Sequence, residues 1–224
     1  MSKISTFYRL IRANFVLARE GVFAALPGEA LEGFPRVLWN AARLIAKRRS
    51  KEASRTDRIA RAIARLGPSY AKLGQFLATR ADVIGPDMAR DLAGLLDKME
   101  SFPMAQAKAA IEDSLGGPVE QFFVEFHEPV AAASIAQVHP AYVEDAKGRR
   151  KVAVKVVRPG VRAEFKKNND VFMMAAEIQN RLFASSERLK PIEVAKTLEA
   201  TTRLEMDLRI EAAALSEIDR KSVV

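Results

Sequence analysis

The sequence predicts an α+β fold, in which one small antiparallel sheet follows a long helical N-terminal extension and leads into further helices. Three observations predict it. Through the first half of the chain, apolar residues recur at helical spacing between short Gly and Pro breaks. Two runs rich in β-branched residues, Ile135 to Val143 and Val152 to Val157, then flank a polar segment containing Gly148, the pattern of a hairpin. Beyond Pro159-Gly160 the spacing is helical again, from Val161 to Phe183 and from Ile192 to Lys221.

Composition narrows the classes. With 49% apolar residues in 224, the chain can bury one substantial core plus appendages. The absence of Cys removes disulfides and thiolate metal sites, which suits a reducing compartment. The two His, His127 and His139, are too few for a histidine metal cluster and read as packed or surface residues. The net charge of +8 is lopsided: through Leu66 there are 14 Lys and Arg against 5 Asp and Glu, and beyond it 22 against 23. An anionic partner, phospholipid or nucleic acid, is therefore expected for the N-terminal segment alone.

Taken in order, Ser2 to Leu26 is no secretory signal, because Arg9, Arg12, Arg19 and Glu20 interrupt what would be its apolar core. Ile4, Phe7, Tyr8, Ile11, Phe15, Ala18 and Val22 form a stripe at helical spacing, so the segment reads as an amphipathic helix. It either lies on an anionic membrane surface or docks on its own protein. A second helix through Val37, Leu38, Trp39, Leu44 and Ile45 ends in the basic run Lys47 to Lys51. No apolar run approaches the roughly 18 to 20 residues that span a bilayer, so no transmembrane helix is expected. A third helix, Arg55 to Arg65, stops at Leu66-Gly67-Pro68, and a fourth runs from Ser69 to Thr79. In that fourth helix Lys72 and Gln75 are three apart and share one face, while Gly74 signals a closely packed neighbour. Pro86 to Leu96 and Pro103 to Leu115 read as short helices, the latter closed by Gly116-Gly117-Pro118. Phe122, Phe123 and Phe126 are assigned to the core below the hairpin, and Val171, Phe172, Met174, Ala175 and Ile178 to the buried side of the helix that follows it.

The chemistry is concentrated in the hairpin. On its second strand, Val152, Val154 and Val156 line one face while Ala153, Lys155 and Val157 line the other. An ammonium between Ala153 and Val157 is costly unless an anion meets it, and a nucleotide phosphate is the obvious anion. Val152-Ala153-Val154-Lys155 resembles the V-A-I-K of protein kinases, whose strand Lys contacts the α- and β-phosphates and pairs with a Glu on a later helix. Where a kinase carries its Gly-rich loop stand Ala131-Ala132-Ala133-Ser134. Ala cannot take the positive φ angles of Gly, so this loop is expected to be stiffer.

The combination of Lys72-Leu73-Gly74-Gln75, then AAASIAQVH from Ala131 to His139, VAVKVVRPGV from Val152 to Val161, and Glu205-Met206-Asp207 followed by Glu211-Ala212 resembles the UbiB family of atypical, protein-kinase-like proteins of ubiquinone (coenzyme Q) biosynthesis. Four signatures in the family's order carry the likeness, over roughly Gly67 to the end. It implies a kinase-like N-lobe, a small antiparallel sheet plus C helix, in residues 119–224, a KxGQ helical segment in 67–118 and a basic helical extension in 1–66. Several acids of the last helical run, Glu199, Glu205, Asp207, Glu211 and Glu217, are possible partners for Lys155, and the likeness selects Glu211. It makes Glu205 and Asp207 the acidic pair facing Lys72 and the nucleotide's cation, although residues two apart point to nearly opposite sides of a regular helix. It also puts the Lys72 and Gln75 helix across the cleft where a kinase receives its peptide.

The implied cofactor is ATP or ADP with Mg²⁺, bound through Lys155 and covered by Ala131, Ala132, Ala133 and Ser134. No Asp-Phe-Gly or His-x-Asp loop occurs, so the metal ligands and the C-lobe are expected outside this stretch, and no measurable ATP turnover is expected from it alone. The resemblance further implies ubiquinone-pathway enzymes as partners and a cytoplasmic location, peripheral at the inner membrane. ATP-coupled support of ring hydroxylation fits these residues better than direct hydroxylation, since no flavin or iron site is visible. The alternative is an inert, membrane-associated scaffold with a kinase-like fold. A nucleic-acid partner is not expected, because no reading motif is present.

Overall fold

The computed structural model describes residues 2–23, 40–41, 44–46, 53–94, 99–146, 148–182 and 190–221. The helix expected over 37–45 and the basic run after it lie almost wholly outside them. Two compact units divide the chain, Met1–Val171 and Phe172–Val224.

The first unit opens with α1 (Lys3–Arg19), shorter than expected, since Gly21 takes φ 76° just beyond it. Helix α2 (Arg55–Leu66) is started by Ser54, whose Oγ accepts from the Asp57 amide at 3.1 Å and donates to its carboxylate at 2.7 Å. It stops at Gly67, where a φ of 91° strains any larger residue and a Glu164 carboxylate oxygen 3.1 Å from where a Cβ would sit would have to give way. Pro68 then opens α3 (Pro68–Ala78), followed by a four-residue turn, α4 (Ala81–Ile84), that periodicity did not reveal, and by α5 (Pro86–Ala93). Helices α2, α3 and α5 pack on one another, and α1 packs on α2. Helix α6 (Met104–Leu115) ends, as read from sequence, on left-handed Gly116. The short α7 (Val119–Phe122) leads into the sheet.

The sheet has four antiparallel strands: β1 (Glu125–Phe126), β2 (Ala131–Ala132), β3 (Ala136–Asp145) and β4 (Gly148–Val157). Strand β3 is central, with β4 on one edge and both β1 and β2 on the other. The β3–β4 hairpin is longer than the apolar runs suggested, because it continues through the charged tip to the pair Asp145↔Gly148. That tip is held by ion pairs, Arg150 to Asp145 at 2.6 Å and Arg149 to Glu125 at 2.5 Å. Pro140 is tolerated in β3 because, on its β1–β2 edge, it sits in the gap between those two strands; there it only accepts, from the His127 amide at 3.0 Å.

One face of the sheet is closed. Val156 joins Phe102, Ala107, Ile111 and Val119 in a core against which Phe123, Phe126 and Val154 pack, so α6 and α7 cover this side. Phe123 and Phe126 take the role expected of them; Phe122 is half-buried and lies outside that cluster.

After the turn at Gly160, α8 (Val161–Leu182) runs from the first unit into the second. Its buried ridge is Val161, Phe165, Asn168, Phe172 and Ala176, with Val171 beside it. The sequence reading had placed Met174, Ala175 and Ile178 on that side. Ile178 is instead exposed, because the ridge is set by Val161 and Phe165 at the helix start and the 3.6-residue period carries it past Ile178.

In the second unit, the single helical run expected from Ile192 to Lys221 is two helices, α9 (Pro191–Glu205) and α10 (Leu208–Lys221). The break falls at Met206-Asp207. Asp207 caps α10, its Oδ1 accepting from the Arg209 amide at 3.2 Å, and competition of this side chain with the helical ladder ends α9. Among the described residues, no helix is long and apolar enough to cross a membrane.

Candidate functional site

The open face of the β3–β4 hairpin is the candidate site. Register determines its lining. Val138 lies directly opposite Lys155, Pro140 opposite Ala153 and Tyr142 opposite Lys151, so all six share the face turned away from the core. Ala131 on β2 pairs with Val138 and joins them, whereas Ala132 pairs with Gln137 and faces inward. A shallow apolar concavity of about 350 Å³ on this side is lined by Val130, Val138, Pro140, Lys151, Val152 and Ala153. Lys155 is exposed rather than caged in apolar surface, so the desolvation cost expected from sequence is not incurred here. Small and branched side chains make a flat apolar patch, and Lys151 and Lys155 put positive charge along it.

The stretch Ala131 to Ser134 is neither Gly-like nor loose. Ala131 and Ala132 form β2, and the chain reverses at Ala133, whose amide donates to the Ala136 carbonyl at 2.8 Å. Ser134 and Ile135 are buried, and among the described residues the only non-Gly with positive φ is Lys190. The stiffness expected of an Ala-rich turn is therefore supplied by pairing and packing.

Arg158 supports this turn, a role that sequence reasoning missed. Its amide donates to the Ile135 carbonyl at 2.8 Å, and its guanidinium donates to the carbonyls of Glu100 at 2.9 Å and Ala133 at 3.4 Å while lying 5.1 Å from the centre of the Phe102 ring. Burial lowers the pKa of this guanidinium, and the Glu164 carboxylate opposes that shift. An Arg before Pro-Gly looks like a solvated strand end, so only contacts disclose it.

Behind the site sits a polar latch. Gln137, fully buried, accepts from the Phe102 amide at 2.9 Å and donates to the Phe102 carbonyl at 3.2 Å, mimicking one rung of a β-ladder. Its amide nitrogen also lies 2.9 Å from His139 Nε2, and His139 Nδ1 lies 2.8 Å from the His127 carbonyl. That carbonyl can only accept, so Nδ1 carries the proton and Nε2 accepts from Gln137. The His139 ring stacks on Phe126 at 4.6 Å. Of the two His, read as packed or surface residues, His139 is packed inside and His127 lies at the surface beside Glu125.

The other sequence-predicted residues lie on helices. Lys72 and Gln75 are half-buried on α3, and Gly74 between them is buried. In the second unit, Glu205 is the last residue of α9 and Glu211 lies in the first turn of α10, both exposed. The Asp207 carboxylate receives two hydrogen bonds from the Arg209 guanidinium, at 2.8 and 2.7 Å, besides capping α10. The helix breaks between Glu205 and Asp207, so the geometry of a continuous helix does not set their relative directions.

Residues 94–222 match the ABC1 atypical kinase-like domain. The chain is 40% identical over 168 residues to a probable protein kinase UbiB of Marinobacter nauticus, covering 75% of this chain and 30% of that one. Against proteins of the same name from Aeromonas salmonicida and Vibrio vulnificus it is 35% and 37% identical, over 96% and 98% of this chain and 39% of each of theirs. It thus spans between three and four tenths of the length of these curated relatives. With an α+β architecture, a four-stranded antiparallel sheet and the match across that sheet and the helices after it, this chain belongs to the UbiB (ABC1) family of atypical kinase-like proteins.

Proposed function

We propose that this chain forms the nucleotide-binding N-lobe portion of a UbiB-type atypical kinase or ATPase supporting ubiquinone biosynthesis. In this reading residues 119–224 are the lobe, 67–118 the KxGQ segment and 1–66 a basic extension. The observation that carries it is the register of the hairpin, which puts Val138, Ala153 and Lys155 on one open, flat face beside β2. An aromatic base stacks on such apolar surface, and an ammonium within the same face meets the phosphates that follow it. Ala131 to Ser134 would cover the nucleotide through backbone brought close by small side chains, with Arg158 holding that turn.

Lys155 would contact phosphate, with the Glu211 carboxylate orienting its ammonium. Lys72, Gln75, Glu205 and Asp207 would shape the cleft and restrict what enters it. Mg²⁺ supplies charge neutralisation of the phosphates when it accompanies the nucleotide. Among the described residues no group of three or more His, Asp or Glu could hold it, and Asp207 is already engaged by Arg209, so these residues do not amount to a metal site. Their part is to hold the nucleotide, at a membrane surface, within a larger protein that assists other pathway enzymes.

Thermal unfolding with MgADP and MgATP tests this reading. A nucleotide-dependent rise in Tm that disappears in Lys155→Ala and persists in Lys196→Ala, at an exposed position of α9, is expected; an equal rise in native protein and Lys155→Ala would refute it. A second reading, an inert membrane-associated scaffold, is favoured by the exposed apolar side chains of α1, which need no nucleotide. It predicts a Tm indifferent to nucleotide.

A further inference from the structure

Helix α1 is amphipathic in the opposite sense to a core helix. Its buried positions are Thr6, Ala13 and Ala18, with Glu20 just beyond, whereas Ile4, Phe7, Tyr8, Ile11 and Phe15 are 81%, 53%, 68%, 51% and 49% exposed. At 100° per residue those five fall within roughly one third of the helix circumference, a continuous apolar strip. Thr6 and Ala13 seat the helix by its other side, and the strip stops at buried Ala18, where the C-terminal end is held. Glu20, 2% exposed, pairs with Arg65 at 3.1 Å and Arg61 at 3.4 Å, and the Arg58 guanidinium donates to the Gly21 carbonyl at 3.3 Å. The protein has thus anchored α1 by small and polar residues and left the strip facing out.

The margins of the strip identify its occupant. Arg12 and Arg19 border one edge and Lys3 the other, all exposed, and α1 contains no Asp or Glu. The Arg19 guanidinium lies 6.0 Å from the centre of the Phe15 ring, where a long side chain reaches from apolar surface toward water or a phosphate. A second copy of the same face would set like charges against each other. A bilayer of anionic lipid instead offers hydrocarbon to the strip and phosphate to its rim.

We propose that α1 is an interfacial helix that docks this protein flat on an anionic membrane, with Ile4, Phe7, Tyr8, Ile11 and Phe15 entering the acyl boundary and Lys3, Arg12 and Arg19 at the headgroups. The proposal rests on the membrane-surface part of the reading above and is independent of nucleotide binding.

Flotation of the full chain with vesicles of phosphatidylglycerol mixed with phosphatidylcholine, against phosphatidylcholine alone, tests it. Binding to the anionic vesicles that weakens as salt is raised is expected, with a loss of on the order of tenfold or more in I11S/F15S at unchanged Tm. R12E/R19E should lose anionic binding while leaving the weak affinity for neutral vesicles unaltered. In F15W, indole fluorescence gained over the native protein should shift blue and be quenched by brominated acyl chains. Undiminished flotation of I11S/F15S overturns the proposal. So does a Tm lowered by several degrees in that variant, which would mean that the protein's own residues cover the strip, or a lipid-free dimer that the same substitutions dissociate. MgADP thermal shifts on the same samples report the nucleotide reading separately, so that either can fail alone.

Discussion

The β3–β4 hairpin and α1 each turn one face inward and one outward, and in both some polar residues are buried while apolar ones are left outside. The hairpin closes on Gln137 and His139, both fully buried, and opens through Val138, Pro140 and Ala153. Helix α1 closes through Thr6, Ala13 and Glu20 and opens through Ile4, Tyr8, Ile11 and Phe15. At these positions burial follows the fit to the protein and not side-chain hydrophobicity. The polar residues that go inside are then satisfied completely: Gln137 by backbone, Glu20 by two Arg. The two regions differ in what stands outside. The hairpin shows a small flat patch with cations within it, suited to one molecule, while α1 shows a long strip with cations at its rim, suited to a surface.

The comparison breaks first at the inner faces. Gln137→Ala leaves the Phe102 amide and carbonyl without partners and removes the donor to His139, so a loss of about 2–4 kcal/mol is expected in urea unfolding. A loss under about 0.5 kcal/mol would show that the latch is dispensable. Glu20→Ala should cost less, about 1–2 kcal/mol, because Arg61 and Arg65 are partly exposed and regain water. His139→Phe keeps the stack on Phe126 but forfeits the hydrogen bond to the His127 carbonyl, and about 1 kcal/mol is expected.

Alkaline pH probes α3 and its charges from α1. Burial pushes the Tyr70 phenol up to about 12, against the lowering pull of Arg12 and Arg9. The folded state therefore holds this proton more tightly than the unfolded chain, so stability present below pH about 10 declines as pH rises toward 12. Tyr70→Phe should flatten that part of the stability–pH curve; an unchanged slope would move its origin elsewhere.

Outer-face substitutions should have the smallest effect on folding. Lys155→Ala and Ile11→Ser are each expected within about 0.5 kcal/mol of native stability, while abolishing a different binding event, nucleotide for one and vesicle for the other. Should either unfold the protein, its side chain belongs to the core and the contrast between the faces is lost.

Much of this architecture was legible because it rests on local rules. Gly67-Pro68, Gly116 and Gly148 punctuate the chain wherever they occur, and period-two alternation placed Lys155 on one strand face with Ala153 and Val157. The signatures beginning at Ala131 and Val152 identified the family before any coordinate. Other features were not legible, for particular reasons. The break at Met206-Asp207 depends on a cap that an Asp within a helical run does not announce. Arg158 is held by carbonyls of Glu100 and Ala133, distant in sequence, which no local pattern announces. The ridge of α8 slipped because the six consecutive apolar residues from Val171 to Ala176 offer more than one face.

Sequence alone determined the long helices, the hairpin and its parity, since these depend on residues at most a few positions apart, and the order of four short signatures along the chain gave the family. Only tertiary structure decided which face of each element is closed. Closure is a contest between surfaces distant in sequence: α6 and α7 claim the Gln137 side of the sheet, and α2 claims the Thr6 and Glu20 side of α1. The apolar strip of α1 remains outside because no described element of the protein competes for it.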